Sequence, residues 1–307
     1  MDAKFEPAGN VLRFERRFRH PVEKVWRAIT EPAELAHWFP ARVETDLRIG
    51  APIRFTFPDA APIDGSAQGE ILELDPPKVY AFTWNRDVLR FELVPDGAGC
   101  VLHFSQSLGG GELGALSAGR NAAGWDHCLG ALLARLEGRE SEPFTEWLPA
   151  MEHYIDVFGI GAGRFAEGEL GFARDLVWKP LEDIWQTLVE GGEPQPGGEP
   201  PLRATNGHVE AGAVTKVEAP RLLEYEWLHE GEPAGVVRFE FFADPDLGNR
   251  VELHQTLPAR LAEFAPTALA AWHTHLELFF AAVHGEVRCP WPADRMEALR
   301  KQYSGQG

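Results

Sequence analysis

Residues 20–30 read HPVEKVWRAIT, and they return in altered form as KPLEDIWQTLV at residues 179–189, where Trp185 takes the place of Trp26. Further blocks recur in the same order: GEILELDPPKVYAFTW (69–84) as GAVTKVEAPRLLEYEW (212–227), VLRFEL (88–93) as VVRFEF (236–241), HFSQSL (103–108) as ELHQTL (252–257), and GWDHCLGALLARLEG (124–138) as AWHTHLELFFAAVHG (271–285). Similar segments in one fixed order indicate that a single fold has been built twice along the chain.

The repeat also sets the predicted domain boundaries. Beyond the last pair of blocks, Pro143-Phe144 corresponds to Pro290-Trp291, so each repeat includes a short carboxy-terminal helix. We therefore predict a more complete domain at 1–160 and a shortened, degenerate copy at 161–307. The segment GGEPQPGGEPP (191–201) has the composition of a flexible surface loop, and it replaces structure that the first copy contains.

Composition narrows the class of protein. The chain has 307 residues, of which 44% are hydrophobic, which is enough for two domains with a core of their own. A formal charge of −18 argues against nucleic acid or an anionic membrane as the main partner. The three cysteines, Cys100, Cys128 and Cys289, form neither a disulfide framework nor a zinc signature. No apolar run is long enough for a membrane span and no signal-peptide core is present, so we expect a cytoplasmic protein.

Hydrophobic periodicity predicts the order strand, helix, several strands and a long helix in each copy. In the first copy we predict a helix from Pro21 through Ile29, a second short helix from Pro32 to Trp38, and a loop from Pro58 to Gly65. The predicted strands, mainly antiparallel, are 11–18, 53–57, 69–74, 79–84, 88–94 and 101–108.

The long closing helix gives the strongest local pattern. In the first copy the apolar positions fall on one face of the helix, and the second copy keeps them. They are Trp125, Leu129, Leu132, Leu133 and Leu136, matched by Trp272, Leu276, Phe279, Phe280 and Val283.

The order of these elements, with AHWFP (36–40), LRIGAPIRFTF (47–57) and DPPKVYAFTW (75–84) between them, resembles the SRPBCC superfamily. The chain is most similar to the branch named after the activator of the heat-shock-protein-90 ATPase. The resemblance implies an α+β fold of two tandem helix-grip domains, each a curved antiparallel sheet wrapped around a long carboxy-terminal helix. It also implies a cavity between sheet and helix, which in such folds commonly binds hydrophobic small molecules and in some members serves aromatases or cyclases.

A glutamine recurs on the inner face of one strand. Alternation places Phe104 and Gln106 on the same face as Leu102 and Leu108, and the second copy has Gln255 at the matching position. A polar group in an apolar row could orient a ligand. The alternative is that each amide bonds backbone or buried water.

Aromatic side chains surround the same predicted cavity. Trp38 and Phe39 belong to the element beside its mouth, and with Trp84 and Trp125 they could stack a planar ligand or fill the core. The second copy lacks AHWFP, so binding that depends on Trp38 would be confined to the first unit. The predicted ligand-binding residues are Trp38, Phe39, Trp84, Phe104, Gln106, Trp125, Cys128, Leu129 and Leu132, with the second-copy equivalents Trp227, Gln255, Trp272 and His275.

Catalytic signatures are missing from the sequence. There is no nucleophile elbow, phosphate-binding loop, dinucleotide fingerprint or zincin motif, and His103, a conceivable proton donor, falls on the outer face of its strand. His275 stands where the first copy has Cys128, which argues against one shared catalytic role, and the two-residue spacing of His273 and His275 does not suit a shared metal on a helix. We predict no catalytic residue, metal or cofactor.

Three functions remain open. The leading one is a protein that carries, stores or senses a hydrophobic or aromatic small molecule. An aromatase- or cyclase-like enzyme and a chaperone-linked interaction protein are the alternatives. We expect a monomer whose two copies pair within the chain in a pseudo-twofold manner.

Overall fold

The computed structural model describes residues 3–58 and 66–305, and it divides the chain into two compact units, Met1–Ile160 and Gly161–Gly307. The loop predicted at Pro58–Gly65 lies, from residue 59 onward, outside the described residues. Both units combine an antiparallel sheet with helices, so the α+β fold class predicted from the sequence is confirmed.

The first unit contains an eight-stranded sheet in the order β1-β2-β8-β7-β6-β5-β4-β3. Every neighbouring pair is antiparallel. Its strands are β1 (Lys4–Glu6), β2 (Val11–Phe18), β3 (Arg42–Thr45), β4 (Pro52–Thr56), β5 (Ser66–Asp75), β6 (Val79–Trp84), β7 (Asp87–Asp96) and β8 (Gly99–Ser107). On β8 the residues at even positions from Leu102 to Gln106 are buried and His103 is exposed, as the alternation predicts.

The helices of the first unit are α1 (Val22–Thr30), α2 (Pro32–Leu35), α3 (Gly111–Ala115), α4 (Ala118–Leu136) and α5 (Trp147–Phe158), with a 3-10 turn at Pro7–Gly9. The sequence predicts that α2 extends to Trp38, but the helix ends at Leu35. Pro40 disfavours helical backbone at the residue before it, and the chain passes through turns from Ala36 to Trp38.

Helix α4 packs its apolar stripe onto the inner face of the sheet. Leu129 and Leu132 have no exposed surface, and Trp125 is buried among them. The opposite side of α4 meets α5 so closely at Gly119 that an added Cβ would lie 2.5 Å from Cγ1 of Ile155. A glycine is therefore required where these two helices approach each other.

The second unit contains a six-stranded antiparallel sheet in the order β11-β12-β13-β14-β10-β9. Its strands are β9 (Arg164–Ala166), β10 (Glu169–Asp175), β11 (Glu210–Glu218), β12 (Leu222–His229), β13 (Glu232–Asp244) and β14 (Gly248–Thr256). Its helices are α6 (Leu181–Val189), α7 (Ala265–Val283) and α8 (Ala293–Ser304), with 3-10 turns at Leu202–Ala204 and Ala259–Phe264.

A coil segment, residues 190–209, covers the stretch between α6 and β11. It holds only the 3-10 turn, whereas the first unit has α2, β3 and β4 between α1 and β5. Two backbone hydrogen bonds of 2.8 Å hold this segment against β11. The N–H of Gly197 donates to the carbonyl of Val214, and the N–H of Val214 donates to the carbonyl of Gly198. Farther along, the hydroxyl of Tyr225 donates a 2.6 Å hydrogen bond to the carbonyl of Ala204.

Across residues 3–58 and 66–305, no helix is both long enough and apolar enough to cross a bilayer.

Candidate functional site

An aromatic cluster fills the space between the sheet and α4 in the first unit. The rings of Phe55 and Trp84 are stacked, with centroids 4.8 Å apart. Phe39 packs against Trp84 at 5.5 Å and against Trp125 at 5.7 Å. Phe104 contacts Trp125 at 4.5 Å. The predicted aromatic residues of this unit therefore do meet, and they pack on one another.

The AHWFP turn is anchored by Trp38. Its indole N–H donates a 2.9 Å hydrogen bond to the carbonyl of Ala28 at the end of α1, and the ring is buried. Phe39 follows on the same turn and points into the aromatic cluster, with only 8% of its surface exposed. Phe39 thus forms part of the wall between solvent and the interior.

A small void lies beneath α2, next to Phe39. The space enclosed there leaves no room even for a water molecule. Ligand pockets of drug-sized molecules measure roughly 300–1,000 Å³. The void is lined by apolar and aromatic side chains: Ile29, Leu35, Phe39, Val43, Ile53, Tyr80, Phe82 and Phe91.

The amide of Gln106 is engaged at both ends within the protein. Its Oε1 accepts a 2.7 Å hydrogen bond from the indole of Trp125, which ties β8 to α4. Its Nε2 donates to Oδ2 of Asp87 at 2.6 Å and to Oδ1 of Asn121 at 3.3 Å. Asp87 also accepts from the backbone N–H of Gly109 at 2.8 Å. The partners of this amide are side chains, whereas the alternative considered from the sequence was backbone or buried water.

Asp87 is the acidic member of this network. Burial raises the pKa of its carboxyl, and the hydrogen bonds from Gly109 and Gln106 oppose that shift. Neither Asp87 nor Asn121 is among the residues predicted from the sequence. A usable signal did exist for Asn121, which stands four residues before Trp125 and therefore on the same side of α4.

The glutamine of the second unit keeps only half of this network. Oε1 of Gln255 accepts a 2.6 Å hydrogen bond from the indole of Trp272, as in the first unit. Nε2 of Gln255 is buried without a hydrogen-bond partner. By strand register, Asp87 corresponds to Gly235, and Asn121, four residues before its tryptophan, corresponds to Ala268. Neither replacement offers a side-chain acceptor.

The position of Cys128 differs in chemistry between the units. In the first unit the thiol is buried on the face of α4 that meets the sheet, and burial raises its pKa to about 12. In the second unit His275 is equally buried, and burial lowers the pKa of its imidazole to about 4, opposed by a hydrogen bond with the backbone of Arg203. Nε2 of His275 has no partner.

Trp227 and Trp84 occupy matching strand positions but have different surroundings. Trp227 has no exposed surface, stacks on Phe264 at 5.9 Å and donates to the carbonyl of Thr256 at 2.8 Å. Trp84 is half-buried and faces the aromatic cluster. Groupings of three or more His, Cys, Asp or Glu suited to a metal ion do not occur in the described part of the chain.

Residues 19–137 match the family model described as "Activator of Hsp90 ATPase homolog 1-like protein". The first unit is a domain of this family. The match covers α1 through α4, together with the Gln106 network, so the resemblance drawn from the sequence is confirmed for this unit. No curated protein matches the chain.

Solved structures similar to parts of this chain come from several bacteria. CalU16 from Micromonospora echinospora has 22% identity and a TM-score of 0.40, over 52% of this chain and 92% of its own. EF2215 from Enterococcus faecalis, a conserved protein of unknown function, has 23% identity and a TM-score of 0.44, over 51% and 89%. MLL2253 from Mesorhizobium loti has 27% identity and a TM-score of 0.38, over 42% and 96%.

Proposed function

We propose that the first unit binds a small, planar, apolar molecule beneath α2, between the sheet and the helices α1 and α2, in a carrier, storage or sensor role. The observation that carries this proposal is the void lined by eight apolar and aromatic side chains. Side chains that line a void make fewer dispersion contacts than side chains in a close-packed core. An apolar guest would restore them without any change in hydrogen bonding.

The size of the void defines what must move. The void leaves no room even for a water molecule, so a guest can enter only when side chains move. Phe39 separates the void from the cluster around Trp84 and Trp125, and it sits on a turn rather than within a helix or strand. Rotation of this one side chain would join the void to the space that the ring occupies now, so Phe39 is the residue that a guest displaces.

The hydrogen-bond groups around the cluster favour an apolar guest. Gln106 and Trp125 satisfy each other, and Trp38 is bonded to the backbone of Ala28. A polar ligand would have to break these bonds, at about 1–3 kcal/mol for each buried group left unpaired. A neutral aromatic ligand avoids that loss.

The proposal is tested by titrating the full chain with 1-aminoanthracene, a neutral planar fluorophore. We expect saturable binding that Phe39→Ala strengthens, because the shorter side chain enlarges the void, and that Ile53→Phe weakens, because the added ring fills it. Phe144→Ala is the matched control, since this exposed ring stacks on His127 away from the void. Equal binding by all four proteins, or none, would count against the proposal.

Native mass spectrometry of the purified protein provides a second, independent readout. An apolar molecule retained by the wild type and lost from Ile53→Phe would identify the natural ligand class directly.

A further inference from the structure

Two buried polar side chains of the second unit contact the same tryptophan, and each has one atom without a hydrogen-bond partner. Gln255 has no exposed surface and His275 has 6%, and the Nε2 atoms of both side chains form no hydrogen bond. Gln255 is bonded to the indole of Trp272 at 2.6 Å, and the rings of Trp272 and His275 lie 5.3 Å apart. Buried polar groups in native proteins are almost always paired with protein, water or ligand.

The first unit shows that these orphaned atoms are not inherent in the fold. There the same amide nitrogen has two acceptors, Asp87 and Asn121. Gly235 and Ala268 stand at these positions in the second unit. A side chain cannot be restored at Gly235, because an added Cβ would lie 2.3 Å from Oγ1 of Thr256. In the second unit the amide nitrogen of Gln255 therefore has no acceptor within the protein.

The two orphaned atoms have complementary chemistry. The amide nitrogen of Gln255 carries hydrogens and needs an acceptor. The imidazole of His275 is bonded to the backbone of Arg203, which fixes one ring nitrogen as donor and leaves Nε2 as an acceptor when the ring is neutral. A hydroxyl group is the simplest function that accepts from the first and donates to the second.

The residues around these two orphaned atoms indicate what the rest of a ligand must be like. Phe239 packs 5.8 Å from Trp272 and 6.0 Å from His275, so the orphaned atoms lie among aromatic rings. A charged ligand would lose its hydration there, whereas an aromatic ring would gain edge-to-face contacts. The coil segment 190–209 packs against these aromatic residues. The backbone of Arg203 is hydrogen-bonded to His275, and the carbonyl of Ala204 accepts a hydrogen bond from Tyr225.

We propose that the second unit binds a small neutral phenol, whose hydroxyl bridges Gln255 and His275 beside Trp272. This site is separate from the void of the first unit, and it stands whether or not that unit binds a ligand. The two units would then select different guests, an apolar one in the first and a hydroxyl-bearing one in the second.

The test compares phenol with toluene, which has nearly the same shape but no hydroxyl. With the full chain labelled with ¹⁵N, we expect phenol to shift the Nε2 resonance of His275 and the side-chain amide of Gln255 saturably. Toluene should bind at least about tenfold more weakly, because it leaves both atoms unpaired. Shifts confined to the first unit, or equal affinity for phenol and toluene, would overturn the proposal.

Variants separate the phenol site from an alternative in which a buried water pairs the two atoms. Gln255→Leu and His275→Phe should each weaken phenol binding at least about tenfold. His254→Gln is the matched control, because its side chain neighbours Gln255 on β14 but bonds Glu169 on the outer face. Should a variant fail to fold, the resonance shifts of the wild type still decide the matter. No saturable shift with phenol would mean a buried water only, and would refute the proposal.

Discussion

Trp125 donates its indole N–H to the side-chain oxygen of Gln106 at 2.7 Å, and this bond joins the long helix of the first unit to the middle of its sheet. The same bond recurs in the second unit between Trp272 and Gln255. A tryptophan buried on a helix needs an acceptor for its N–H, and a glutamine on the facing strand provides one. The recurring glutamine is therefore explained first by the fold.

Replacing the two glutamines should have unequal effects on stability. Gln106→Leu removes the partner of Trp125 and the donor to Asp87, so we expect the free energy of unfolding of the first unit to fall by about 3 kcal/mol. Gln255→Leu removes one bond but also an unpaired amide nitrogen, and we expect a loss of about 1 kcal/mol. Urea unfolding followed by the indole NMR signals of each unit measures both. A larger loss for Gln255→Leu would contradict this account.

The stability of the second unit should depend on pH through His275. Burial lowers the pKa of its imidazole to about 4 in the folded chain, from 6.5 for an ordinary histidine. The folded state therefore binds fewer protons than the unfolded state between these values. Its free energy of unfolding should fall as the pH drops through this window, by up to about 1.4 kcal/mol per pH unit. Above about pH 6.5 the contribution is complete, and below about pH 4 it is lost.

Urea unfolding of wild type and His275→Phe at pH 7 and pH 4.5 measures this effect. The wild type should lose roughly 2–3 kcal/mol more than the variant between the two pH values, since phenylalanine carries no proton. Identical pH dependence in the two proteins would show that His275 is not buried as a neutral ring.

The sequence predicted which side chains of this site face the interior, but it did not predict the contacts between strands or the space that packing leaves. Alternation on β8 and the apolar stripe on α4 predicted that Gln106 and Trp125 both face the interior, because these periodicities follow from backbone geometry alone. Asp87 was missed because it reaches Gln106 only through the pairing of β7 with β8, which no local pattern encodes. The volume left beneath α2 depends on how the side chains pack, and the same aromatic residues could have lined a pocket or filled it.

Tyr303 should stabilise the second unit through its hydroxyl group. The hydroxyl accepts a 2.9 Å hydrogen bond from the backbone N–H of Gly163 and lies 2.8 Å from Nδ1 of His273 on α7. Tyr303→Phe removes both contacts and leaves the buried N–H of Gly163 without this acceptor, so we expect a loss of about 1–3 kcal/mol in the free energy of unfolding. Hydrogen exchange gives the specific readout, because the amide of Gly163 should lose its protection. Unchanged protection of that amide would mean that the bond is not formed in solution.

The three cysteines should differ in their rate of alkylation, and the rate at the buried ones should report on access to the interior of the first unit. Cys289 is exposed, whereas Cys100 and Cys128 are buried and burial raises the pKa of both thiols. Because the thiolate is the reactive form, iodoacetamide at neutral pH should alkylate Cys289 alone in the native protein and all three in urea. Peptide mapping by mass spectrometry measures this, and Cys289→Ser provides the control that should remain unlabelled in native buffer. If Cys128 were labelled in native wild type, the sheet and α4 would have to separate in solution. In that case the void beneath α2 would understate the space that a guest can enter.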